Sequence, residues 1–333
     1  MDRIAVIGAG SWGTTVASIA AAKTDTILWA RRPALADAIN RQRMNPDYIP
    51  GHELPESLTA TSDLAEAVTG SEAVIMAVPS HGFREVFSTL APRLGSAVPV
   101  VSLTKGIEQG SLERMTEIID KVTEGHDPSL TGVLTGPNLA AEILAGQPTA
   151  SVIAMPDQSA AERLQSLFMG PTFRVYTNDD VVGCELAGAL KNVMAIASGM
   201  SDGLGFGDNT RATLLTRALA ELTRLGVALG GRPETFAGLA GMGDLVATCS
   251  SDKSRNHRVG FALAIGKTLD EVVDEMKTVA EGVKTTKSVL GLAARVGVDM
   301  PIATHVGMVL DGEMTPREGV LSLMTRQAKA ETR

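Results

Sequence analysis

Seven short apolar runs, rich in Val and Ile, recur through the first 178 residues. They are "RIAVIG" from Arg3, "DTILWA" from Asp25, "AVIMAVP" from Ala73, "PVVSL" from Pro99, "GVLTG" from Gly132, "ASVIAM" from Ala150 and "FRVY" from Phe173. Each is continuous rather than alternating, the pattern of strands covered on both faces. Helix-like sequence separates most of them, as in "SLERMTEIIDKVTE" from Ser111. Strand and helix in turn predict a doubly wound, mainly parallel sheet. The rhythm stops near Asp179, where "TNDD" offers a turn and a helix N-cap. Beyond it the patterns are helical: a long amphipathic stretch from Arg211, then helices around Phe261, over 281–296 and over 302–310. The expected fold is an α/β domain over 1–180 followed by an all-α domain over 181–333. A chain of 333 residues is also too long for one ordinary core.

Charge and composition exclude several functions. The net charge is −8 and aromatics make up 3% of the chain, which argues against a nucleic-acid partner. Any anion must therefore be held in a local pocket. Two cysteines, Cys184 and Cys249, do not make a disulfide framework, and the five histidines lack metal-ligand spacing. The start "MDRIAVIGAG" enters a strand pattern directly, without the features of a signal peptide. No apolar run reads as long enough to span a bilayer. A reduced, cytoplasmic protein with no membrane span is expected.

The first strand runs into "VIGAGSWG", with Gly8, Gly10 and Gly13 spaced as G-x-G-x-x-G and a helix rich in Ala, Ser and Thr behind them. That is the context in which the motif binds a dinucleotide, so the α/β domain reads as Rossmann-like. Gly8 permits the tight turn, Gly10 lets a pyrophosphate approach, and Gly13 lets helix and strand pack. Free N–H groups of the helix start then hold the phosphates. An NAD-preferring site usually has an acid after the second strand, but here "WARRP" supplies Arg31 and Arg32. Paired guanidinium groups suit a 2′-phosphate. NADP(H) is expected, with NAD(H) also accepted. A solvated basic pair is the plain alternative.

Ligands in such sheets bind beyond the carboxyl ends of the strands. There "PVVSLTKG" places Lys105, and "GVLTGPNLAAE" places Gly136, Pro137 and Asn138 ahead of a helix. Position alone leaves Lys105 equally readable as a surface lysine. A second lysine, Lys191, lies inside the helix-like stretch "CELAGALKNVMAIASG". Its face carries Cys184, Ala187, Gly188, Met194 and Ala195. Such small neighbours leave space for a substrate, and burial would lower the lysine's pKa toward that of a general acid or base. Helix position alone favours a lysine that snorkels to the surface. Two later stretches shift the balance. "GLAGMGDLVATCSS" surrounds Asp244 with glycines, and "DKSRNHRVG" groups Ser254, Arg255 and Asn256 before a helix, a plausible site for phosphate or carboxylate.

These residues together make the chain resemble the bacterial NAD(P)-dependent glycerol-3-phosphate dehydrogenases over essentially its whole length. The matching stretches are "GAGSWGT", "SLTKGIE", "GPNLAAEI", "ELAGALKNVMAIASGMSDGLGFGDNTRA", "GMGDLVATCSSDKSRNHRVG" and "VAEGVKT". The resemblance implies cofactor contacts at Ser11, Trp12, Arg31, Arg32, Ala140, Val279 and Glu281. It implies that Lys105 serves cofactor and substrate and that Arg255 touches both. Gly136, Asn138, Asp244, Ser254 and Asn256 become substrate ligands, and Lys191 the proton donor and acceptor. Asn138 departs from the Ser or Thr common at that position. It implies a small-molecule substrate, dihydroxyacetone phosphate or glycerol 3-phosphate, and a role in supplying glycerol backbones for phospholipid synthesis. Exposed apolar helix faces in the second half leave room for a homodimer.

Two rivals remain. A β-hydroxyacid dehydrogenase would carry Asn four residues after the lysine, where this chain has Ala195, while Asn192 is adjacent to Lys191. A non-catalytic NAD(P)H sensor would not need the lysine-centred second site.

Overall fold

The computed structural model describes residues 1–276, 280–328 and 330–331. Among the described residues eight strands form one sheet: β1 (Arg3–Ile7), β2 (Asp25–Trp29), β3 (Leu58–Thr61), β4 (Val74–Met76), β5 (Val100–Ser102), β6 (Thr131–Thr135), β7 (Thr149–Ala154) and β8 (Phe173–Asn178). Their order is β3-β2-β1-β4-β5-β6-β7-β8. All neighbours pair in parallel except β6 and β7.

The continuous apolar runs have a direct cause. Along β1, Ile4 and Val6 enter a cluster with Val16, Leu28 and Leu35, while Ala5 and Ile7 enter another with Val74, Phe83 and Phe87. Helices on both faces bury every residue from Ile4 to Ile7. β3 was not expected from the sequence. It reads "LTAT", with Leu58 and Ala60 buried and Thr59 exposed, the alternation of a half-covered edge strand.

The remaining architecture is helical and is built around one 23-residue helix, Val181–Gly203, here called the core helix. The Asp180 side chain caps it by accepting the Gly183 N–H at 2.8 Å. The same carboxylate accepts the Arg232 N–H at 2.8 Å and the Thr235 hydroxyl at 2.6 Å, tying in the next helical segment. The core helix is long and apolar enough to cross a bilayer, which corrects the expectation that no such run exists. However, 83% of its most apolar stretch is buried within the protein. Leu186, Leu190, Val193 and Ile196 pack there with Leu222, Phe236, Val289 and Val306. Its apolarity is that of a central helix wrapped by others.

Two glycines set the crossing that brings the Ser-Arg-Asn run to this helix. A Cβ on Gly199 would lie 1.9 Å from the His257 carbonyl oxygen, and one on Gly260 would lie 1.9 Å from that of Ile196. Backbone therefore meets backbone between the core helix and the helix Arg255–Ala264. At its other end the core helix grips the sheet layer. Glu185 accepts from Arg114 Nη1 at 2.9 Å and from the Thr116 N–H at 3.0 Å, at the start of the helix Met115–Val122.

Candidate active site

The site has a glycine-loop side and a lysine side, both at the carboxyl edge of the sheet. On the glycine side the turn after β1 passes through Gly8 at φ +121°, a region that favours glycine. A Cβ on Gly13 would lie 2.0 Å from the Gly8 carbonyl oxygen, so the helix Ser11–Ala21 sits directly on the loop. By contrast, a Cβ on Gly10 would meet nothing within 4 Å. Gly10 is the N-cap, with no side chain capping the helix and no acid in the first turn. Open space, N–H groups at a helix start and no competing negative charge fit a pyrophosphate.

Around this loop, the Ser11 hydroxyl donates to the Tyr48 carbonyl at 3.0 Å. Trp12 packs on Phe173 with the rings tilted by 59° and their centroids 6.4 Å apart, and its buried Nε1 has no partner among the described residues. Arg31 is exposed just beyond β2, whereas Arg32 pairs with Asp47. Asn45, missed in the sequence, braces the loop. Its Nδ2 donates to the Ala9 carbonyl at 3.0 Å and to Thr14 Oγ1 at 2.8 Å. No local motif marks it, because its partners lie more than 30 residues away in the chain.

On the other side, two lysines share one carboxylate. Lys105 Nζ lies 2.6 Å from Asp244 Oδ2, and Lys191 Nζ lies 2.9 Å from Asp244 Oδ1. Lys105 also donates to the Gly136 carbonyl at 2.9 Å. Lys191 donates to Thr248 Oγ1, whose own hydroxyl donates to Asp244 Oδ1 at 3.2 Å. Lys191 and Asp244 are 5% and 2% exposed, so both charges are taken out of water. The expected open space beside Lys191 is thus filled in part by Asp244 and Thr248. Burial, aided by the positive charge of Lys191, pushes Lys105 down to about 8, against the opposing pull of Asp244.

Thr248 is the second residue that sequence reasoning missed. It follows Asp244 by one turn on the helix Asp244–Cys249, so i,i+4 spacing carried the signal. Asn192 is the third. Its Nδ2 donates to the Lys105 carbonyl at 3.1 Å, and its Oδ1 accepts from Asn256 Nδ2 at 2.9 Å. Asn256 in turn accepts the Gly282 N–H at 2.9 Å, so both ends of its amide are engaged inside the protein.

The other predicted residues are distributed around this centre. Ser254 caps the helix Arg255–Ala264 through the His257 N–H at 3.3 Å, and Arg255 is the first helical residue. Asn138 accepts from the Ser151 hydroxyl. Ala140 opens a five-residue helix, Ala140–Leu144, slightly later than the helix expected at Asn138. Glu281 accepts from the Ser80 hydroxyl at 2.8 Å, linking the start of the helix Glu281–Val296 to the residue after β4's loop. Val279 lies outside the described residues. Both cysteines are unpaired and buried, their thiols pushed up to about 12 by burial. Among the described residues no group of three His, Cys, Asp or Glu side chains is placed to hold a metal ion.

Comparison with known proteins gives a consistent result. Residues 3–161 match the family model described as the NAD-dependent glycerol-3-phosphate dehydrogenase N-terminus, and residues 180–321 match the C-terminus of the same family. A Sphingopyxis alaskensis protein named glycerol-3-phosphate dehydrogenase [NAD(P)+] 2 is 54% identical, covering 94% of this chain and 93% of its own. A Streptomyces coelicolor protein named glycerol-3-phosphate dehydrogenase [NAD(P)+] is 52% identical over 99% of this chain and 98% of its own. Among solved structures, glycerol-3-phosphate dehydrogenase from Coxiella burnetii superimposes with a TM-score of 0.91 at 37% identity, covering 98% of this chain and 99% of that one. With both halves matched and the relatives aligned almost end to end, the chain belongs to the NAD-dependent glycerol-3-phosphate dehydrogenase family.

Proposed function

We propose that this protein interconverts dihydroxyacetone phosphate and sn-glycerol 3-phosphate, with NAD(P)(H) bound at the glycine loop. The observation that carries this reading is the Lys105–Asp244–Lys191 cluster facing the sheet edge that holds that loop. Two ammonium groups around one carboxylate leave a net positive centre, which attracts a phosphate-bearing substrate. Arg255 and Asn256 are the proposed phosphate ligands, with Gly136, Asn138 and Ser254 completing the substrate site. The reduced nicotinamide, when bound, supplies the hydride.

Lys191 then gives its Nζ proton to the ketone oxygen as negative charge develops there, so the carbonyl becomes a secondary alcohol. Lys105 stabilises that charge from beside it. Asp244 holds both lysines in place, and Thr248 fixes the Lys191 ammonium through its accepted hydrogen bond. In the oxidative direction Lys191 takes the hydroxyl proton. On this reading the first 180 residues bind the cofactor and the rest supply most of the substrate site. The same reading gives the protein a cytoplasmic role in providing glycerol backbones for phospholipids. A homodimer through the second half is part of it, supported by exposed Leu321 and Met324.

The direct test is loss of NADPH or NADH absorbance on adding dihydroxyacetone phosphate; no loss despite measured cofactor binding would refute the activity. Two further results are expected. Replacing Arg31 and Arg32 together with alanine raises the KM for NADPH by about tenfold and that for NADH by less than about twofold. Equal effects on both cofactors would refute the assignment of this pair to a 2′-phosphate. Second, kcat/KM for dihydroxyacetone phosphate falls as pH rises through about 8, because Lys105 loses its charge there. A profile that stays flat to about pH 9.5 would contradict that role for Lys105.

A further inference from the structure

The antiparallel partner of β6 has a consequence for the substrate site. Because β7 runs back along β6, its first half lies beside the carboxyl end of β6, with Thr135 opposite Val152. Ser151, fully buried inside a strand, is thereby placed under the turn Gly136–Asn138. Gly136 stands at φ +132°, and a Cβ there would come within 3.3 Å of the Ser151 Cα. The Ser151 hydroxyl donates to Asn138 Oδ1, its one partner among the described residues. At the other end of the same carboxamide, Asn138 Nδ2 is buried with no partner among the described residues. A buried amide N–H without an acceptor is costly, and such groups call for a ligand. Two residues back, the Gly136 carbonyl holds Lys105.

We propose that Ser151 is a positioning residue that holds the Asn138 carboxamide with its NH₂ end turned toward an oxygen of the substrate. The chemistry follows from what each end can do. An amide can turn over in place, exchanging a donor for an acceptor with little change of shape. Phosphate and carbonyl oxygens of a triose phosphate accept hydrogen bonds and need the donor end. A hydroxyl that gives its proton to Oδ1 occupies the acceptor end and leaves the two N–H bonds for the ligand. Ser151 thereby anchors the Asn138 carboxamide at its Oδ1 end, and substrate binding satisfies the orphaned N–H.

This inference rests on the proposed reduction of dihydroxyacetone phosphate, and a double-mutant cycle tests it separately. Steady-state kinetics are measured for the wild type, Ser151→Ala, Asn138→Ser and the double variant, with NADPH saturating and then varied. Ser151→Ala is expected to raise the KM for dihydroxyacetone phosphate about fivefold, with kcat and the KM for NADPH within about twofold. In the Asn138→Ser background there is no carboxamide to orient, so the same Ser151→Ala change is expected to alter KM by less than about 1.5-fold. Equal effects of Ser151→Ala in both backgrounds, or no effect in either, would overturn the positioning role. A loss of kcat and a rise in both KM values together would indicate general loosening of the strand and would also overturn it. Absence of turnover in the wild type would overturn the functional reading itself.

Discussion

Replacing Lys191 with alanine is expected to lower kcat for dihydroxyacetone phosphate reduction by about 10³-fold. The lysine is 5% exposed, in the middle of the core helix, and its ammonium is directed by Asp244 and Thr248. The other described donors on Asp244 are the Thr248 hydroxyl, far too weak an acid to replace an ammonium, and Lys105, which is held on the other carboxylate oxygen and on the Gly136 carbonyl. The fold should survive, because Asp244 retains Lys105 at 2.6 Å and is not left as a lone buried charge. The expected pattern is therefore a fall in kcat with a KM changed only a few-fold, as when an interaction specific to the transition state is removed. Small primary amines added to the variant should restore part of the rate by occupying the space the side chain leaves. A kcat within about tenfold of wild type would remove Lys191 from the proton transfer.

Asp244→Asn is expected to damage stability and turnover together. The change keeps the shape but leaves two buried ammonium groups facing each other without a counter-charge. Breaking a buried ion pair by removing one partner costs about 3–5 kcal/mol, reduced here to the extent that a lysine sheds its proton. Lys105 already stands at about 8, below its ordinary 10.5, and loses the pull of Asp244 that opposed the shift. Its value therefore moves lower still, and the alkaline limb of kcat/KM moves to lower pH with it. The stability effect has a defined sign. A lysine whose folded pKa is depressed binds fewer protons folded than unfolded, so stability rises with pH between the two values. The deficit of the variant is largest near neutral pH, where Asp244 supplies a counter-charge that Asn lacks, and shrinks as pH approaches about 10.5. Denaturant unfolding of both proteins across pH measures this, and equal stabilities with an unmoved limb would show that Asp244 does not hold the lysines' charge.

Much of the fold was readable because burial on both faces of a parallel sheet writes itself as unbroken apolar runs. β3 escaped because only one face of its "LTAT" is covered. The reversal at β7 escaped because strand direction is not encoded in a strand's own pattern. At the site, glycines and charged residues stood out as local stretches. Their partners did not, because the contacts join distant parts of the chain. Lys191 and Thr248 are 57 residues apart, and Lys105 and Asp244 are 139 apart. Ser254 and Asn256 show the opposite limit: polar residues suited to a ligand are also engaged in capping and bracing the backbone.

A D-mandelate dehydrogenase and a ketopantoate reductase from Ralstonia eutropha share this fold at TM-scores of 0.62 and 0.59, with 11% and 17% identity. The decisive measurement is therefore kcat/KM for dihydroxyacetone phosphate against that for 2-dehydropantoate, a 2-oxo acid without a phosphate, under the same NADPH concentration. A preference for the phosphate ester of at least about 10³-fold is expected, since the oxo acid has no phosphate to engage the proposed ligands Arg255 and Asn256. Comparable values, or a preference for the oxo acid, would contradict the assignment of the two-lysine centre to a triose phosphate.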